Sequence, residues 1–144
     1  MTPPLLDSAA VQAKLVLMVA LLDDLDGVGP VDAAVLQRDR MLRHAVERVL
    51  TQLVDLAVSV NGHVAVAGGL AAPATYRASF AAAAATGALP AALAERLAPS
   101  AGLRNVLVHE YAAVDLGLVV RGVELARTDY RSCVRAVAGF LAEV

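Results

Sequence analysis

The 144-residue chain is 58% hydrophobic with only 3% aromatics and no Trp, and its 12 basic and 14 acidic residues give a formal net charge of −2. At this length roughly two-thirds of the unfolded surface is buried on folding, so a single domain over residues 1–144 with a sizeable core is expected. The acidic balance excludes a general nucleic-acid binder working through a broad positive field, and the lone Cys133 excludes an internal disulfide.

In chain order, Asp7 or Ser8 is placed to cap a first helix whose apolar positions Val11, Leu15, Val19 and Leu22 recur at helical spacing. The aliphatic run Leu15–Leu22 within it is far short of the ~20 residues that a bilayer crossing needs. It follows Lys14 as a signal sequence would. However, the acidic Asp23, Asp24 and Asp26 stand behind it in place of a small-residue cleavage site. A cytoplasmic protein with no membrane association is therefore expected. Gly27 and Gly29-Pro30 end the helix, and Asp32 opens a long second one running to about Val66. Its stripe is Leu42, Val46, Val49, Leu53, Leu56, Val60 and Val64.

After Gly68-Gly69 and Pro73, Thr75 starts a short third helix ending near Gly87. A fourth begins at Pro90, and Pro99 and Gly102 should bend or interrupt it. A helix resumes from Leu103 through about Asp115, and segments from Leu116 to Thr128 and from Asp129 to Val144 complete the chain. Cys133 lies in an apolar-periodic stretch and reads as a buried structural thiol. Strand-like alternation, repeats and linkers are missing. The expected fold is all-α, a single up-and-down bundle of about five to six helices.

One stretch departs from simple packing: Leu103-Arg104-Asn105-Val106-Leu107-Val108-His109-Glu110-Tyr111. On a helix Arg104 and Tyr111 share a face, and Asn105 and His109 are neighbours. Arg104 and His109 lie about 140° apart round the axis and can flank one groove if it is wide or if a second subunit forms its other wall. RNA cleavage without metal needs a base for the 2′-OH proton, an acid for the leaving 5′-oxygen and a cation for the phosphorane charge. His supplies acid/base chemistry near neutral pH, and Arg is a permanent charge shaped for phosphate. Asn105 can orient the imidazole or contact the phosphate. Taken alone, an Arg and a His five residues apart are more often ordinary surface residues.

Arg104-Asn105-x3-His109 matches the Arg-polar-x3–5-His signature of the HEPN ribonucleases, and His109-Glu110-Tyr111 extends it to the Arg-x4-His-x-Tyr form. Together with Glu47-Arg48-Val49-Leu50, His63, Tyr76-Arg77-Ala78-Ser79-Phe80 and the stretch from Gly87 to Leu97, these residues make the whole chain resemble the HepT-like toxins of that superfamily. The resemblance implies a HEPN-type helical bundle and a homodimer with both motifs facing one cleft. It also implies a type II endoribonuclease toxin that cleaves RNA without a metal or cofactor, to 2′,3′-cyclic phosphate ends. Arg104 and His109 would be catalytic and Asn105 positioning. The partner implied is an MntA-like nucleotidyltransferase antitoxin that adenylylates Tyr111, placing bulk and negative charge on the Arg104 face.

The chain departs from some relatives at Ser59, where they carry an acidic residue; Asp55, one turn earlier, can substitute, although a solvated or capping role is its ordinary reading. Arg38, Arg40, Arg43 and Arg48 interleave with Asp39 and Glu47, with Asp39 and Arg43 at ion-pair spacing, as on a solvated face. Arg127, Arg131 and Arg135 form a stripe with fewer acidic neighbours, a candidate contact for RNA backbone or antitoxin. His44 and His63 have no partners at ligand spacing, so no metal site is expected. Two other readings stay open: a catalytically silent helical dimer that binds a nucleotidyltransferase partner or a nucleotide, and a purely structural dimerisation bundle.

Overall fold

Short polar side chains set where most helices start. In the computed structural model, which describes residues 5–109 and 114–144, the carboxylates of Asp7, Asp32, Asp39 and Asp115 and the hydroxyl of Thr75 each accept a backbone N–H of a first helical turn. The helices are α1 (Ser8–Val28), α2 (Ala33–Arg38), α3 (Arg40–Ala67), α4 (Tyr76–Ala85), α5 (Ala91–Leu97), α6 (Ser100–His109), α7 (Leu116–Leu125) and α8 (Arg131–Ala142). The π-helical turn Ala126–Tyr130 joins the last two into one helical run. No strand occurs among the described residues, and the all-α bundle expected from the periodicity is the fold observed.

Three expected boundaries move. The long second helix is two: Asp39, at φ −112° and ψ 92°, breaks it and its carboxylate accepts from Leu42 N at 3.0 Å. Asp39 therefore caps α3 instead of pairing with Arg43, whose Nε lies 3.5 Å from Glu47 Oε1. Asp115 begins α7 instead of ending the preceding helix. No break falls at Asp129, because the π turn carries the chain through.

The core is aliphatic. Val11, Leu15, Met18, Leu22 and Leu25 of α1 and Val46, Leu50, Leu53, Val54, Val60 and Val64 of α3 meet Phe80, Leu93, Leu97, Val119, Val123 and Val137 in one cluster. α3 is the central helix, packing on α1, α4, α6 and α7. It is long and apolar enough to cross a membrane, and half of its most apolar window is buried against its neighbours.

Two devices fix α6. At the α5–α6 break, Ser100 Oγ donates to Leu97 O at 2.6 Å and lies 2.7 Å from the buried Tyr130 hydroxyl, which the π turn presents. Farther along, a Cβ on Gly122 of α7 would meet Leu103 Cδ2 at 2.5 Å and Leu50 Cδ1 at 3.1 Å. Only a glycine lets α7 lie this close to α6 and α3 without a shift.

Candidate functional site: a clasped arginine on α6

Arg104 stands in the second turn of α6, over α3 and the start of α4. Its Nε donates to Asp55 Oδ1 at 2.9 Å. Its guanidinium carbon lies 4.9 Å from the centre of the Tyr76 ring. Asn105, exposed beside it, has Oδ1 3.5 Å from Arg104 Nη1. The Arg104 side chain remains 22% exposed and that of Asp55 38% exposed. With Nε engaged by Asp55, the end-on fork of Nη1 and Nη2 is the edge left for a bidentate contact with phosphate oxygens.

His109 is the last residue of α6 and is exposed. Five residues of helix separate it from Arg104, so within one chain the two point to different sides of α6. The structure thus brings Arg104 and Asn105 into contact and puts His109 one helical turn beyond Asn105, on a different side of α6 from Arg104. Tyr111 lies outside the described residues.

Asp55 and Tyr76 were the harder residues to find. Asp55, one turn before Ser59, is not the solvated or capping group of its ordinary reading but the ion-pair partner of Arg104. Ser59 is exposed. Tyr76 gave no sign of its contact in the sequence beyond following the helix-capping Thr75. Burial, then the neighbouring Asp55 carboxylate, raises the Tyr76 pKa, with Arg104 pulling the other way, so Tyr76 is a neutral phenol at physiological pH. Asp55 also lines a groove of about 390 Å³ between α1 and α3 with Leu17, Leu21, Arg48, Gln52 and Leu56.

The second basic candidate is corrected in larger part. Arg127 Nη2 donates to the carbonyls of Leu25 and Gly29, each at 2.6 Å, and Arg131 Nη2 reaches Asp23 at 2.8 Å and Asp26 at 2.6 Å. Two arginines of the stripe are therefore committed to the end of α1, and Arg135 alone is exposed. Among the described residues no group of three or more His, Cys, Asp or Glu could hold a metal ion.

Comparison with known proteins places the chain in a family. Residues 20–137 match the family model described as ribonuclease HepT-like. A 49-residue stretch is 43% identical to a tRNA nuclease HepT of Aphanizomenon flos-aquae, covering 34% of this chain and 33% of that protein, so the match spans about a third of the relative's length. The fold is similar to that of a Shewanella oneidensis HEPN toxin solved tri-AMPylated in complex with MNT antitoxin, with TM-score 0.79 and 22% identity, covering 90% of this chain and 96% of that one. It is equally similar to a mutant MntA–HpeT toxin–antitoxin structure, with TM-score 0.79 and 21% identity over 90% and 98% of the two chains. At these identities the structural likenesses establish the shared fold. The family match, which spans most of the sequence, establishes descent: the chain belongs to the HepT-like ribonuclease family.

Proposed function

We propose that the chain is a metal-independent endoribonuclease toxin of a type II toxin–antitoxin pair, acting in the cytoplasm as a homodimer. The observation that carries the reading is the Arg104 clasp, in which a partly exposed cation is held through Nε by Asp55 and its terminal fork meets only a 3.5 Å contact from Asn105, on the same helix as an exposed His109. The reaction is transesterification. The 2′-oxygen forms a bond to phosphorus as its proton passes to a base, the P–O5′ bond breaks, and an acid protonates the departing 5′-oxygen. The products are a 2′,3′-cyclic phosphate and a 5′-hydroxyl. His109 supplies the proton transfers, Arg104 binds the non-bridging oxygens as their charge grows, and Asn105 positions the guanidinium.

The regulatory half of the proposal falls on Tyr111. The likeness to a toxin solved in AMPylated form with its antitoxin supports an MntA-like nucleotidyltransferase as partner, and the Arg-x4-His-x-Tyr motif makes Tyr111 the acceptor of AMP in this reading. A phosphodiester on Tyr111, seven residues after Arg104 in the sequence, would compete for the same fork that RNA requires.

Purified protein incubated with total RNA in EDTA tests the catalytic half. Wild type should cleave to cyclic phosphate ends, and Arg104→Ala and His109→Ala should each lose about 100-fold or more. Cleavage that vanishes on chelation and returns with Mg²⁺ would refute it. Co-incubation with the antitoxin and ATP should add AMP to Tyr111 and silence cleavage. Intact RNA with AMP still transferred would instead favour a silent binding module.

A further inference from the structure

The aromatic ring beneath Arg104 plays no part in the chemistry above, yet its backbone is pinned from two sides. Thr75 Oγ1 caps the first turn of α4 by accepting from Ala78 N at 3.0 Å. Ser79 Oγ donates to Tyr76 O at 2.7 Å and accepts from Asn61 Nδ2 of α3 at 3.1 Å. Asn61 and Ser79 are buried, at 0% and 1% exposure, so this bridge works away from water, where a hydrogen bond is stronger and harder to give up. Its effect is to hold the start of α4 against α3 at the level of Asp55, and with it the ring of Tyr76.

A guanidinium held at 2.9 Å through Nε by Asp55, with Asn105 Oδ1 reaching Nη1 only at 3.5 Å, can still swing about the Asp55 contact. The Asp55 bond fixes an edge and leaves the plane free. The Tyr76 ring, its centre 4.9 Å from the guanidinium carbon, supplies a further constraint, because a cation is drawn to the face of an aromatic ring and a guanidinium can stack there. We propose that Tyr76 is a positioning residue for Arg104, a platform that fixes the guanidinium plane so that its Nη1/Nη2 fork meets the scissile phosphate. Neutrality of the phenol serves the same end. A phenolate would compete with phosphate for the fork, whereas a neutral ring attracts the cation and leaves its hydrogen-bond donors unused. The consequence for rate rests on the ribonuclease reading; the platform itself does not.

The test separates the two. In the full-length wild type, the side-chain protons of Arg104 should show the upfield NMR shift of groups over an aromatic face. Tyr76→Phe should retain the shift and cleave RNA within about 2-fold of wild type, while Tyr76→Leu should lose it and cut kcat roughly 5- to 30-fold. KM should change less than kcat, and thermal melting should not track the loss. Titration with inorganic phosphate, followed on the Arg104 guanidinium resonance, reads the same platform without catalysis: Tyr76→Leu should weaken the response and Tyr76→Phe should not. A wild type that responds to phosphate but cleaves no RNA would sink the ribonuclease reading and leave the platform standing. An unshifted Arg104 in wild type overturns the platform even if Tyr76→Leu fails to fold. So does a Tyr76→Phe variant as impaired as Tyr76→Leu, which would move the effect to the hydroxyl.

Discussion

Asp55 and Arg104 form a pair whose value to folding and to chemistry should differ. Both side chains keep water contact, at 38% and 22% exposure, so solvent screens their attraction and limits its contribution to stability to about 1 kcal/mol or less. Aiming the guanidinium is a stricter demand, because small misplacements of a group that must meet a transition state are costly. Asp55→Asn keeps the shape and an acceptor oxygen but removes the charge; it should leave the melting temperature within a few degrees and lower RNA cleavage by about 10-fold. An unaltered cleavage rate would reduce Asp55 to a surface partner. The site was legible in the sequence only where its parts are neighbours along the chain. Arg104, Asn105 and His109 stand out because they interrupt an aliphatic helix, whereas Asp55 is 49 residues from Arg104 and meets it only once α3 and α6 pack. Tyr76 is hidden for the same reason. Cys133 was the easier case, an apolar-stripe thiol that is indeed buried. Burial pushes its pKa up to about 12 from an ordinary 9.0, so the folded state holds this proton more tightly than the unfolded chain does. The resulting stability is complete below about pH 9 and declines as the pH rises from there toward about 12. Cys133→Ala should flatten that decline in urea titrations across this range, and identical slopes would show that another group governs it.

The end of α1 shows why a stripe of arginines on one helix, a candidate docking face by its spacing, is for the most part a structural clamp. A helix leaves its last carbonyls without partners, and α1 ends at Gly29, whose φ of +80° stops it where a residue with a side chain would be strained. Arg127 answers from 98 and 102 residues away, donating to the carbonyls of Gly29 and Leu25, while Arg131 ties down Asp23 and Asp26. The acidic partners were visible in the sequence, but as the flank of an aliphatic run, and nothing local connects them to the last helix. The π turn makes the connection. Over Ala126–Tyr130 it turns Arg127 to α1, Asp129 to Arg96 of α5 and Tyr130 to Ser100 of α6 within five residues. Helix type and most caps followed from local spacing, since Asp7, Thr75 and Pro90 act within a single turn. The break at Asp39 was missed because an apolar stripe can run on in register across an interrupted helix. Loss of a charged donor to two carbonyls should cost about 1.5–3 kcal/mol, so Arg127→Ala should destabilise by that much in denaturant titration. Arg135→Ala, at an exposed position, should stay within about 0.5 kcal/mol. Equal effects from the two would mean that the carbonyl contacts contribute nothing.

For the whole molecule, the directions of Arg104 and His109, the side chains proposed for catalysis, argue for two copies acting together. Arg104 is held toward α3 and α4, while His109 sits at the far end of α6, about 140° round the axis and roughly 7.5 Å along it. In-line displacement at phosphorus places the entering 2′-oxygen and the leaving 5′-oxygen on opposite sides, so the proton acceptor and the proton donor cannot be one imidazole in one pass. No second His lies near His109 in sequence; His44 and His63 are both on α3, the first exposed beyond its capped start. A partner copy supplies the missing group if the two α6 helices face one cleft, each contributing an Arg104 and a His109. That arrangement makes the inactive variant a poison. Wild-type chains exchanged with a tenfold excess of His109→Ala chains would nearly all sit in mixed dimers with one imidazole, and activity per wild-type chain should fall about tenfold. If each chain cleaved alone, dilution into inactive partners would leave that activity unchanged. The same mixture gives its own control, since light scattering should report a dimer for wild type, variant and mixture alike. A monomer at micromolar concentration, or full activity of wild-type chains in the presence of excess variant, would rule out the shared cleft.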